Sequence, residues 1–206
     1  MINVRFLCTC VAVLAFSLPI SAMGGTLTLS MIPSSQYVVQ GRSDYAVTLT
    51  LTTTTSVDLG GFNIGLTTDP GSGITFTNGD SSVTNYVFEG NSIGMLFTPA
   101  SGSDSAGISD YPLTSPQTLT AGTYGLGEIF FNVAANAPLG NQIFTLDSSS
   151  SFSDGNGDPI AFSPVSNSTL GAVDVVPEPS SLLICAIGIA TGLSGLVKNR
   201  RIRRTA

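Results

Sequence analysis

The chain has 206 residues, of which 42% are apolar and 10% charged, with a formal net charge of −6. It contains no histidine and no tryptophan, and its three cysteines, Cys8, Cys10 and Cys185, lie towards the two ends. These absences exclude Ser–His–Asp and Cys–His catalysis and a histidine-ligated zinc, no GxGxxG or GK[ST] loop is present for a phosphate, and the acidic balance repels nucleic acid.

Residues 1–24 read as a secretory signal peptide. Arg5 is the lone side-chain charge there, Phe6 to Phe16 is an apolar core, and Ser21-Ala22-Met23-Gly24 supplies small residues for cleavage. Ala22 and Gly24 suit a cut before Gly25, and a cut before Met23 is the alternative. The body, residues 25–175, has the length of one domain and can bury one core. Six of the seven basic residues fall in the terminal segments, leaving Arg42 alone in the body with twelve of the thirteen acids. That surface suits an exported protein or one that takes up cations. The body has no cysteine, so packing and hydrogen bonds must hold it without a disulfide.

Alternation with period two predicts strands along the body. Thr26–Met31 places Leu27, Leu29 and Met31 on one face. Gln40–Ser43 is a turn. Tyr45–Leu51 turns Tyr45, Val47, Leu49 and Leu51 inward, and Phe62–Leu66 repeats the pattern until Asp69-Pro70-Gly71 stops it. Ile74–Thr77, Tyr86–Phe88 and Ile93–Phe97 are shorter strands. Thr98–Gln117 is a long Ser/Gly/Asp loop with one short strand around Ile108 and Tyr111. Leu126–Val133 is the strongest strand, with Ile129, Phe131 and Val133 on one face and Glu128, Phe130 and Asn132 on the other, part-covered face. Ile143–Leu146, Ile160–Phe162 and Leu170–Val175 complete an all-β, antiparallel sandwich.

Residues 176–206 change character. Pro177 and Pro179 bracket Glu178 and halt any helix or sheet. Leu182–Val197 is uncharged and as a helix rises about 24 Å, so a span of about 180–197 crosses once flanking residues snorkel. The tail 198–204 carries Lys198, Arg200, Arg201, Arg203 and Arg204, which fix that end inside.

Proline-glutamate-proline, apolar helix and basic tail in this order resemble the PEP-CTERM sorting signal of bacterial exported proteins. The resemblance implies recognition and processing at Pro177-Glu178-Pro179 by exosortase, an integral-membrane cysteine protease. A plain C-terminal membrane anchor is the alternative. The body resembles the cohesin-type jelly roll. Val39-Gln40-Gly41 before Tyr45–Leu51, the run Val57–Leu66 with Asp69-Pro70, Leu126–Val133 followed by Ala137–Gly140, and Phe152–Asp154 with Gly171–Val175 as a closing hairpin carry that likeness. It implies a nine-stranded sandwich and a sheet face that binds a protein module, as cohesins bind dockerins.

No residue pattern in the body carries catalysis. Glu89 and Glu128 are its only glutamates, and neither forms the flanking carboxylate pair of a glycosidase. Asp154, Asn156 and Asp158 alternate with glycines, a spacing that suits weak calcium binding, but Pro159 and Val165 stand where an EF-hand needs glycine and glutamate. A Gly-rich hairpin turn explains the same residues. The sequence therefore points to an exported, non-enzymatic surface or matrix protein for adhesion or protein–protein interaction. The resemblances imply exosortase, the export machinery and the membrane as partners, with a protein module or exopolysaccharide outside. The alternative function is a polysaccharide-binding module.

Overall fold

Thr-, Val- and Leu-rich alternation becomes strand throughout the computed structural model, which describes residues 26–99, 104–165 and 167–178. The expected signal peptide, Pro179, the expected membrane span and the basic tail lie outside the described residues. Among the described residues no helix is long and apolar enough to cross a membrane.

The strands are β1 (Leu27–Ile32), β2 (Ser35–Val39), β3 (Tyr45–Thr53), β4 (Val57–Thr68), β5 (Ile74–Asp80), β6 (Leu96–Pro99), β7 (Ser105–Asp110), β8 (Gln117–Leu119), β9 (Gly122–Val133), β10 (Gly140–Leu146), β11 (Ser151–Asp154), β12 (Pro159–Ile160), β13 (Phe162–Ser163) and β14 (Thr169–Val176). They form two sheets. The smaller runs β13-β1-β3-β9-β5. The larger runs β12-β11-β4-β10-β14-β2, with β7 and β8 on the other edge of β4 and β6 beyond β7. Most neighbours are antiparallel, but β1 pairs with β13 and β14 pairs with β2 in parallel. The sandwich is therefore not purely antiparallel. Parallel pairing arises because the chain switches sheets between β1 and β2 and again between β12 and β13.

The inner faces close on each other through aromatic rings. Phe131 on β9 stacks on Tyr45 at 5.7 Å, and meets Phe144 of the opposite sheet edge-on at 5.5 Å. Phe62, Phe88 and Phe152 continue this seam. Leu27, Leu29, Met31, Val47, Leu49, Leu51, Ile129, Phe131 and Val133 are all buried, as the alternation requires. Tyr45 is half-buried, because its hydroxyl reaches out to accept the Val39 N–H at 2.7 Å.

Several sequence expectations differ from the fold. Tyr86–Phe88 is not a strand: all three residues are buried, but they turn into the core, with one bridge from Tyr86 to Gly125. Consecutive burial mimics a strand in sequence while having no ladder. The strand expected at Ile93 begins at Leu96, since Gly94 takes φ +110°. Ile160 and Phe162 belong to different sheets. β11 and β14 do not form a closing hairpin: β11 pairs with β4 and β12, while β14 pairs with β10 and β2. The short strand in the Ser/Gly/Asp region is β7, ending just before Tyr111.

Phe131 has no exposed surface and touches three other rings. Phe131→Ala should lower the unfolding free energy by about 3–5 kcal/mol, a large share of a typical 5–15 kcal/mol total. Urea denaturation checks this, and an unchanged midpoint would place Phe131 outside the core.

Candidate interaction face

The outer face of β11-β4-β7-β6 is built by one register. Ser151 lies opposite Asn63, Asn63 opposite Ser109, and Ser109 opposite Leu96. One rung on, Gly65 lies opposite Gly107 and Gly107 opposite Thr98. Their chain neighbours Phe62, Ile64, Ala106, Ile108 and Phe152 are buried, so the small polar residues face out. Glycine keeps this surface low. At Gly65 a β-carbon would come within 2.8 Å of Asp147 Cβ. The result is a shallow groove of about 200 Å³ between Asn63, Thr98, Ser105, Asp147 and Ser149.

Beside this groove lies an apolar patch. Leu96, Ile93, Leu113 and Tyr111 are 61%, 59%, 64% and 49% exposed. Backbone bonds gather them: Ile93 N–H donates to Tyr111 C=O at 3.1 Å and Leu113 N–H to Asn91 C=O at 2.6 Å. The Tyr111 ring lies over Gly61, where a β-carbon would sit 2.5 Å from its Cδ1. Four large apolar side chains exposed together beside a groove are unusual on a solvated surface.

A buried carboxylate pins this patch. Asp110 is 1% exposed. Its Oδ2 accepts the Tyr86 hydroxyl at 2.5 Å and the Ser92 hydroxyl, and its Oδ1 accepts the Tyr111 N–H at 2.7 Å. Burial, then the adjacent Asp110 carboxylate, pushes the Tyr86 phenol well above its ordinary range. Asn91 adds a second staple: its Nδ2 donates to Ser115 C=O at 3.0 Å and its Oδ1 accepts the Thr114 hydroxyl at 3.0 Å. The segment from Tyr86 to Met95 is thus fixed to the strand and loop that carry Tyr111 and Leu113.

Sequence reading did not single out Asp110, yet a signal was there. Ala106, Ile108 and Asp110 share one face of β7 by alternation, so the carboxylate had to point inward. Of the patch residues, Ile93 and Leu96 fell in the expected strand Ile93–Phe97 and Tyr111 in the expected short strand with Ile108, but nothing in the sequence grouped them with Leu113.

Asp154, Asn156 and Asp158 do come together, in the turn between β11 and β12. Asp154 Oδ1 accepts the N–H groups of Asn156 at 2.8 Å and Asp158 at 2.9 Å. Asp154 N–H donates to Asp158 C=O at 2.8 Å, and Gly157 takes φ +86°. Those N–H groups hold the Asp154 carboxyl below its ordinary range. The Ser149 hydroxyl and N–H do the same for Asp147. Both carboxylates are stabilising above the unfolded value of about 3.9, and this contribution disappears as pH falls through the lowered folded values. Among the described residues no three His, Cys, Asp or Glu side chains converge as a metal site. Pro177 and Glu178 follow β14 directly and are half-buried, with Glu178 Oε1 close to Gly41.

No family model matches the chain, and no curated protein matches it. Solved structures do. CaCohA2 from Clostridium acetobutylicum aligns at TM-score 0.57 and 18% identity, over 74% of this chain and 92% of its own. The seventh type I cohesin of ScaB from Pseudobacteroides cellulosolvens aligns at 0.56 and 12%, over 74% and 94%. The sixth cohesin of scaffoldin B from Acetivibrio cellulolyticus, solved with a dockerin, aligns at 0.54 and 16%, over 74% and 99%. The body is therefore a β-sandwich with a cohesin-like fold.

Two outcomes are expected. Asp110→Ala leaves the buried Tyr86 hydroxyl without its acceptor and should cost about 2–3 kcal/mol in chemical denaturation; a change near zero would mean that the network holds nothing in place. The β11–β12 turn closes on its own backbone, so the melting temperature should be indifferent to millimolar calcium. A rise with calcium that Asp154→Ala with Asp158→Ala abolishes would instead make the turn an ion site.

Proposed function

We propose that this chain is an exported, non-enzymatic surface or matrix protein that binds a protein module through the outer face of β11-β4-β7-β6. The observation that carries the reading is the Ile93–Leu96–Tyr111–Leu113 patch, exposed yet held rigid by Asp110 and Asn91. A rigid apolar cluster binds at low entropic cost, because little is left to order on docking. The neighbouring cohesin solved with a dockerin supports a protein partner for the same fold. The described residues include all thirteen acids of the chain and one cation, Arg42, so the matching partner has an apolar centre and a Lys- or Arg-rich rim.

The C-terminal residues give this face its setting. In this reading Pro177-Glu178-Pro179, the apolar span and the basic tail act as a sorting signal: the protein is held in the membrane by its C-terminus, processed by exosortase, and left at the surface or in the matrix. The two ends of the sandwich suit this. β1 begins opposite Thr53, whereas β14 ends beside Val39, across the turn from the start of β3. β7 runs away from the C-terminal end towards Tyr111 and Leu113, so the patch faces away from the exit of the chain. A tether at Glu178 leaves it accessible.

Two measurements test the two halves. Leu96→Asp with Leu113→Asp should abolish capture of surface proteins by the mature protein, since central apolar anchors cost about 2 kcal/mol or more each when lost. Unchanged capture, or binding to exopolysaccharide that survives the double substitution, would move the function to a glycan. Intact-mass measurement of the surface form should show loss of the segment beyond the Pro-Glu-Pro motif; full-length chains ending in Ala206 would contradict the processing step.

A further inference from the structure

We propose that Met23-Gly24-Gly25, the residues directly ahead of β1, lie across an open edge of the sandwich, with the Met23 side chain filling an apolar groove beside Phe162.

That edge is open because the chain changes sheets there. Pro159 and Ile160 close the edge of the larger sheet against β11, and Phe162 then pairs with Leu27 at the edge of the smaller one. One ring contact joins the layers at this crossover: Phe152 of the larger sheet meets Phe162 of the smaller edge-on at 5.0 Å. Beside it lies a groove of about 440 Å³, whose apolar wall is made by Phe152, Pro159, Ile160, Ala161, Phe162 and Val165. Val165 is 69% exposed, and Ile160 and Phe162 are half-buried. A smaller groove of about 170 Å³ shares Ala161 and Phe162 with it and is closed by Thr26, Leu27 and Ser163. No charged residue lines either groove, so both suit an uncharged, apolar occupant.

The register of β1 says which occupant is at hand. β1 and β13 run parallel, with Leu27 beside Phe162 and Thr28 beside Ser163. Continuing β1 backwards in that register brings Thr26 to Ala161, Gly25 to Ile160 and Gly24 to Pro159. The first of these steps is already made, since Thr26 and Ala161 share the smaller groove. The described residues begin at Thr26, so the 25 residues before it start from the rim of the larger groove. Alternation puts Met23 on the same side as Leu27, Leu29 and Met31, which are all buried. Gly25, the other position on that side, adds no side chain to compete for the space. An unbranched thioether fills irregular apolar gaps and packs well on aromatic rings. From Phe6 to Gly41 the chain carries no charge, so no ion has to be buried with it. The consequence for maturation rests on the export reading above: a signal cut before Met23 keeps this cover, and a cut before Gly25 removes it.

NMR of the full chain in neutral detergent, isotope-labelled at its methionine methyls, reads the contact directly. The chain has four methionines, and Met23→Gln identifies the Met23 signal by its loss. That signal should be displaced by the ring currents of Phe152 and Phe162 and show nuclear Overhauser contacts to the Phe162 ring and the Val165 methyls. Met23→Gln should melt a few degrees below the unsubstituted chain, and Met23→Leu, which keeps an apolar side chain, should melt close to it. Equal melting temperatures for all three chains, or an undisplaced Met23 methyl without these contacts, overturn the proposal. Contacts to Phe162 that come from another part of the chain, or that fade on dilution as a second copy leaves, overturn it too. Neither readout depends on export, so the proposal can fail while the export reading stands, and the reverse.

Discussion

Phe131 sits at the centre of the ring contacts that join the two sheets, and the rest of the structure depends on that seam. The body has no disulfide, no lysine and one arginine, so neither cross-links nor ion pairs can hold the layers together. What remains is apolar burial, at about 25 cal/mol per Å², supplied by aromatic rings that reach across from both sheets. Tyr45 and Phe76 approach Phe131 from its own sheet, and Phe144 from the other. Once these rings interdigitate, the register of β9 is fixed, since a one-residue slip would turn Phe131 outward. The registers of β3 and β5 follow from it.

The outer face depends on the same constraint at one remove. Ile64, Ile108 and Phe152 must point into the seam, and this forces Asn63, Ser109 and Ser151 out. At the end of β7 the inward position is taken by Asp110 instead of an apolar residue. A buried carboxylate without a cation is costly unless hydrogen bonds surround it. Tyr86, Ser92 and the Tyr111 N–H supply them, and in doing so they draw the Tyr86–Met95 segment over the sheet. The position of the exposed apolar patch is a consequence of how this one charge is satisfied.

Long alternating strands were legible in the sequence because both of their faces announce themselves. Tyr45–Leu51 and Leu126–Val133 show the inward set directly, and the structure extends each by only a few residues. Short edge strands were not legible. In β2 only Val38 is buried, and β8 is three residues long, too short for a period to show. Parallel pairing was equally hidden, because it depends on which sheet the chain enters after a crossover and not on any local pattern. The candidate face was half-visible: Phe62–Leu66 was legible as a strand, Gly107 and Ser109 fell in the stretch that reads as a long loop with one short strand, and Asp110 was not singled out. The turn at Asp154 was legible as a turn, since aspartate followed two residues later by a free N–H is a local motif.

Which face a partner covers decides between these roles for the sandwich. Hydrogen exchange of the mature protein, with and without its captured partner, measures this directly. Exchange should slow in residues 91–98 and 105–114, with β1, β3, β5 and β9 unchanged. Protection confined to the smaller sheet, or to the turn at Gly41, would contradict binding through the outer face of β11-β4-β7-β6.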